Sequence, residues 1–159
     1  MMTNDASPNV SSGAEKPPTR DARADAASSR RAAPLLYDLV GGEAGLRHLV
    51  ETFYDIIEFE PEGRSLHLLH LRGHGVAHSR IEQFKFLSGF LGGPQLYVED
   101  HQHSDVREMH EHVEIDAEAR DAWLKCMSIA IDRVGLPEQT KVKLMAPFTQ
   151  VAKMLVNKD

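Results

Sequence analysis

Residues 84–127 read FKFLSGFLGGPQLYVEDHQHSDVREMHEHVEIDAEARDAWLKCM, and the fold turns on how this stretch is parsed. An apolar helical pattern runs up to Gly92-Gly93-Pro94, which stops it. A polar stretch follows, carrying His101, His103, His110 and His112. A second apolar pattern opens behind Asp116, a residue type that caps helix N-termini, and carries the only tryptophan, Trp123. Two apolar helices joined by an irregular, histidine-bearing segment make a greasy pocket with an imidazole presented to it from a loop.

The same helical period extends to both sides. Leu35–Val40 forms a short helical piece closed by Gly41-Gly42. Over 43–58, Leu46, Leu49, Val50, Phe53, Ile56 and Ile57 fall on one face. Glu60-Pro61-Glu62-Gly63 interrupts, 64–71 reads as a short helical turn, and Gly73 and Gly75 keep the chain irregular to about Ala77. A helix is predicted over 79–91. At about 100° per residue, Ser79, Gln83, Phe86, Leu87 and Phe90 share a face, flanked by Phe84 and Leu91. Gln83 sits at the centre of that face, where an unpartnered amide costs about 1–3 kcal/mol. A helix over 117–134 aligns Trp123, Met127, Ala130, Ile131 and Val134 and stops at Gly135. Pro137 starts the last helix, with Val142, Met145, Phe148, Ala152 and Leu155 inward. Pro147 is expected to kink or split it near Leu144. No segment alternates with period two, so the predicted fold is all-α.

Composition divides the 159 residues into two materials. Residues 1–34 lack any aromatic, Leu or Ile, cannot bury enough apolar surface to offset their ordering entropy, and are predicted to be disordered. They carry no apolar run of a signal peptide, and their acidic residues argue against a transit peptide. The folded domain is predicted at 35–157. The chain has net charge −6 and its first 34 residues sum to +1, leaving −7 for the remainder. An acidic domain is a poor nucleic-acid binder. No stretch is long and apolar enough to span a membrane. The single cysteine, Cys126, excludes an internal disulfide and fits a reducing cytoplasm.

Nine histidines are many for such a domain. One reading is a metal ladder of His67, His70, His74 and His78 in HLLHLRGHGVAH. This is the basis of an alternative, a non-haem di-iron or zinc helical protein. Gly73 and Gly75 disfavour the continuous helix it needs, and the Glu-x-x-His spacing of di-iron bundles is missing. A haem explains more residues together. It needs apolar walls, which Phe53, Phe84, Phe86, Leu87, Phe90, Leu91, Trp123 and Met127 can supply. It needs one neutral imidazole for the iron. It also needs buried donors on its other face, and Tyr54, Gln83 and Trp123 are polar tips on apolar helix faces. A third reading is a haem-free globin-like interaction module.

LYDLVGG (36–42), FYDII (53–57), SRIEQFKFLSGFLGGPQLY (79–97) and RDAWLKCM (120–127) follow one another as in the group II truncated haemoglobins, and the chain resembles that family over roughly 35–156. The resemblance implies a trimmed globin fold, a two-over-two helical sandwich around haem b (iron protoporphyrin IX). By the motif VREMH it implies His110 as the proximal iron ligand. It places Tyr54, Gln83 and Trp123 on the distal, ligand-binding side, Ser79 where ordinary globins keep a distal histidine, and His70 at the pocket edge. Glu82 stands where the family often has a basic residue that pairs a haem propionate. Arg107, then Arg80 and Tyr97, are the candidates for that task here. After His110 the family has x-Pro-Phe, whereas this chain has Glu111-His112-Val113.

The expected protein is a cytoplasmic haem protein of the oxygen-binding and carrier family. It is expected to bind O₂, and also NO and CO, reversibly at a five-coordinate iron. Three distal donors suit O₂/NO chemistry, such as NO dioxygenase-like or peroxidase-like side activity with a reductase partner, better than bulk oxygen transport. It is expected to be a monomer or homodimer. Cys126 reads as a small buried hydrophobe, not a nucleophile.

Overall fold

The computed structural model describes residues 33–159, so the expectation of a disordered tail lies, but for its last two residues, outside the described residues. Among the described residues eight α-helices follow in chain order: α1 Leu36–Leu39, α2 Gly42–Phe59, α3 Arg64–Arg72, α4 Val76–Phe90, α5 Leu96–His101, α6 Val106–Met109, α7 Ala117–Arg133 and α8 Glu138–Leu155, with a 3₁₀ turn at Pro61–Gly63. Among the described residues every regular element is helical, as the missing period-two signal implies. The principal packings are α7 on α8, α2 on α4, and α2 on α7. The pair α2/α4 therefore rests on the pair α7/α8, a sandwich of two helices over two.

Helix α2 supplies the centre. Leu46, Leu49, Phe53, Ile56 and Ile57 are wholly buried, as their spacing predicts. Each such side chain stabilises the fold by about 1.5–3 kcal/mol relative to leaving it in water. The helix begins at Gly41-Gly42, whose φ angles of +103° and +67° lie in the left-handed region open to glycine. The two glycine motifs of the sequence meet. Tyr37 N–H donates to Leu91 O at 2.9 Å, and a Cβ on Gly93 would stand 2.4 Å from the Tyr37 ring. LYDLVGG and FLGGP are thus two halves of one close contact.

Five local readings change. The segment after Gly63 is a nine-residue helix, α3, rather than a short turn. Helix α4 starts at Val76, one turn before the predicted start, because Gly75 at φ +88° ends the irregular stretch early. The histidine-bearing stretch contains α5 and α6, too short for a periodicity signal. Helix α8 is not split at Pro147. The carbonyl that Pro147 leaves without an N–H partner belongs to Lys143, which is exposed, so water can satisfy it. The buried stripe of α8 is Thr140, Leu144, Phe148 and Ala152, and Val142 is 61% exposed instead of inward.

Asp116 caps α7 as predicted, its carboxylate accepting from Ala119 N–H at 2.8 Å. Asp116→Ala should lower unfolding free energy in urea by about 1 kcal/mol. An unchanged midpoint would mean that the bond contributes nothing.

Candidate functional site

Between the two helix pairs lies a cavity of about 470 Å³. Helix α4 contributes Gln83, Phe86, Leu87 and Phe90, and α8 contributes Phe148, Val151 and Leu155. Tyr54 enters from α2, His70 from α3 and Trp123 from α7. Rings touch in an unbroken run. Phe86 stacks on Phe90 at 5.5 Å between centroids, Phe90 on Phe148 at 6.0 Å, and Phe148 meets Trp123 at 5.6 Å. Trp123 meets Phe53 at 5.3 Å, Phe53 meets Tyr54 at 5.1 Å, and Tyr54 meets His70 at 5.6 Å. The cavity is therefore walled by flat, apolar surfaces with a few polar tips, a shape suited to a flat apolar ligand.

His110 closes the C-terminal end of α6 and lines the cavity. Its Nδ1 stands 2.6 Å from Val106 O. A carbonyl oxygen only accepts, so the proton is on Nδ1 and Nε2 keeps a lone pair. Burial holds the ring below the usual histidine range, with the Val106 bond acting the other way. The chemistry is that of a neutral imidazole ligand for a metal.

Tyr54 is 2% exposed, and burial raises its phenol far above the ordinary tyrosine range, so it stays a protonated donor. Arg80 and the Ser79 hydroxyl beside it pull the other way. Arg80 also fixes α4 on α2: its guanidinium bonds Glu51 at 2.5 Å, Asp55 at 2.8 Å and Glu58 at 3.0 Å, and lies 5.8 Å from the Tyr54 ring centre.

The cavity brings together Tyr54, His70, Ser79, Gln83, Leu87, Tyr97, His110 and Trp123. Six predicted pocket residues lie elsewhere, among them Leu91, buried in the core where its carbonyl accepts from Tyr37 N–H, and Arg80, taken up by the α2 carboxylates. Phe53 sits one layer back, behind Tyr54 and Trp123, and Met127 is in the same core. Phe84 faces the opposite side of α4, where the Arg47 guanidinium stands 4.1 Å over its ring. Arg107 is exposed and does not line the cavity, so its proposed pairing with an anionic edge has no support in the geometry. Among the lining residues Arg120 is the only arginine or lysine. Tyr97 does line it and stacks on His101 at 4.2 Å, while His101 Nε2 lies 2.6 Å from Glu82. The pairing Tyr97/His101 has an i, i+4 spacing that goes unread when 96–101 is taken as irregular. The approach of His112 to His74, at 4.9 Å between rings, joins segments far apart in sequence and had no local signal.

The histidine ladder is not assembled. His67 and His70 ride on α3, His78 on α4, and the glycine turn carrying His74 separates them. Among the described residues no three His, Cys, Asp or Glu side chains are arranged to hold a metal ion. None of the described helices is long and apolar enough to cross a membrane.

An all-α two-over-two sandwich enclosing an aromatic cavity with one prepared imidazole defines a small globin-like protein. Comparison with known proteins agrees. The family model of bacterial-like globins matches residues 35–157. The group 2 truncated haemoglobin YjbI of Bacillus subtilis is 35% identical over 121 residues, 76% of this chain and 87% of that protein. Among solved structures, the group II haemoglobin of Agrobacterium tumefaciens superposes with TM-score 0.74 at 30% identity, covering 80% of this chain and 98% of its own. The cold-adapted truncated haemoglobin of Pseudoalteromonas haloplanktis gives 0.73 at 32% identity, covering 79% and 100%. The truncated, oxygen-avid haemoglobin of Bacillus subtilis gives 0.67 at 34%, covering 78% and 100%. The chain belongs to the group II truncated haemoglobins, a family of haem globins that bind small diatomic ligands.

Arg80→Ala would leave three α2 carboxylates side by side without their cation. It should destabilise the fold by about 1 kcal/mol at low salt, the loss shrinking as salt screens the charges. Urea denaturation at two ionic strengths checks this; a salt-independent loss would assign the effect to packing instead.

Proposed function

We propose that this protein holds haem b on His110 and binds O₂ reversibly on the side lined by Tyr54, Gln83 and Trp123. The observation that carries the reading is the 2.6 Å approach of His110 Nδ1 to Val106 O, which leaves Nε2 as the free nitrogen of a ring that lines an aromatic cavity. The residues present fit the group. Phe86, Leu87, Phe90 and Phe148 offer walls to a macrocycle, and His110 offers one neutral nitrogen. When bound, haem supplies an iron centre for a diatomic ligand.

The chain's own residues decide how that ligand is kept. His110 Nε2 would hold the iron when the haem is bound. The phenol of Tyr54, the amide of Gln83 and the indole N–H of Trp123 donate to a ligand that draws negative charge from the metal. Each neutral hydrogen bond is worth about 1 kcal/mol, several-fold to tenfold in affinity. Three donors slow release by about two to three decades, which suits O₂/NO chemistry with an electron-supplying partner, in the cytoplasm, better than bulk transport. The resemblance to a haemoglobin described as oxygen-avid supports this direction. NO and CO are further ligands of the same site. Arg120, Tyr97 and His101 are the side chains at the cavity suited to an anionic haem edge.

The test is the dissociation of O₂ and CO from Tyr54→Phe, Gln83→Leu, Trp123→Phe and their pairwise doubles. Each single variant that removes a direct donor should speed O₂ release about tenfold. CO accepts weaker hydrogen bonds, so its release should change far less. The doubles should be non-additive, because the donors share one network. O₂ release at the parent rate in all three singles would mean that these side chains are packing residues only.

A further inference from the structure

His70 is prepared in the same way as His110. Its Nδ1 lies 2.7 Å from Leu66 O, four residues back, as that of His110 lies 2.6 Å from Val106 O. The acceptor is again a carbonyl, so the proton is on Nδ1 and Nε2 carries a lone pair. Both rings are half-buried and line the same cavity. They are near enough that charge on His110 disfavours charge on His70. With Nδ1 turned back onto its own helix, the edge of the ring left to face the cavity is the edge carrying Nε2.

This has a chemical consequence. A histidine that steadies a negatively charged ligand must present an N–H. His70 in this tautomer presents a lone pair, which repels such a ligand and can coordinate a metal. The remaining histidines of the cavity differ. His74, His78 and His112 are exposed at its rim, and His101 is held by Glu82. His103 Nδ1 accepts from Asp105 N–H.

The element that carries His70 is also weakly anchored. Leu66 is the only buried residue of α3. Its N-terminal end is fixed, since a Cβ on the buried Gly63 would stand 2.3 Å from the Ile57 backbone, but its C-terminal end, which carries His70, runs into Gly73-His74-Gly75, where Gly75 has φ +88°. A helix with one fully buried side chain and a glycine turn at the end that carries His70 can shift there by the small distance that a metal–ligand bond demands.

We propose that His70 is a second axial ligand: without an external ligand its Nε2 occupies the iron's sixth position, and a diatomic ligand binds by displacing it. The proposal rests on the haem reading above, and replaces the five-coordinate resting iron expected from the sequence with one gated by the movement of α3. It also gives the ligand two opposing influences, donors that retain it and an imidazole that competes for its place.

The experiment uses the full chain with haem, ferric and anaerobically reduced. The expected result is a low-spin spectrum in both states. Pulsed EPR of the ferric protein should count two imidazoles on the iron. His70→Leu and His70→Gln should give high-spin iron, and CO association should become linear in CO instead of saturating. If His70 occupies the site nine-tenths of the time, apparent CO affinity should rise about tenfold in the variants. High-spin parent iron with one imidazole would overturn the proposal while leaving the haem reading intact. Low-spin iron lost in Tyr54→Phe but kept in both His70 variants would overturn it in favour of the phenol. Even if neither variant folds, a parent EPR spectrum that counts a single imidazole overturns the proposal. Absence of any Soret band would instead remove the haem reading itself.

Discussion

Helix α4 has to be covered on two sides, and the rest of the molecule follows from that constraint. Phe84, Leu87 and Ser88 are buried, while Phe86 and Phe90 stand on the cavity face with Gln83 one turn before them. One face packs on α2, where Arg80 ties the helices through three carboxylates. The other face carries the short α5 along one edge, where Tyr97 meets Phe86 at 6.1 Å between ring centres. Its cover comes from the rings of Phe148 and Trp123, which belong to the second helix pair and stand far enough away to leave a cavity. Leaving several aromatic side chains facing an open space costs stabilisation that a bound flat apolar group would restore. The fold is thus shaped for an occupant rather than merely able to admit one.

The polar groups at the cavity are each fixed from behind. His110 and His70 are oriented by backbone carbonyls of their own short helices, not by carboxylates, so neither ring gains the added basicity that a charged partner gives. Tyr54 is kept a phenol by burial. The rim is different in character, with Glu82 and Glu108 paired to His101 and His103. An acidic rim relieved by histidines is an unusual frame for an anionic haem edge, and Arg120 stands out as the one permanent cation on the lining.

The long elements were legible because their apolar period is sustained: α2 and α7 lie within one residue of their predicted bounds. Helix α3 was under-read because two glycines beyond it drew attention to its end rather than its body, and its mostly solvated face leaves little hydrophobic pattern. Gln83 was the most informative anomaly, since an amide at the centre of an apolar face needs a reason, and it does line the cavity. Phe84 and Arg107 show the opposite limit. Motif matching gives a residue's place along the chain but not the side toward which it points. Phe84 is one position from Gln83 yet about 100° away on the helix, enough to put it against Arg47. Phe53 and Met127 were read as walls because they are apolar and central, but a wall has a layer behind it, and sequence does not separate the two. The meeting of His74 with His112 depends on how loops close, which no local period records.

The central claim is that His110 is the proximal ligand on which a haem is held in this cavity. The direct measurement is titration of the apo chain with haemin, for the parent, His110→Ala and His103→Ala, with imidazole added to each. The account predicts one haem per chain in the parent and in His103→Ala. It predicts loss of that binding in His110→Ala, with a ligated spectrum restored when imidazole fills the space left by the side chain. Unchanged binding in His110→Ala, with loss in His103→Ala, would contradict it.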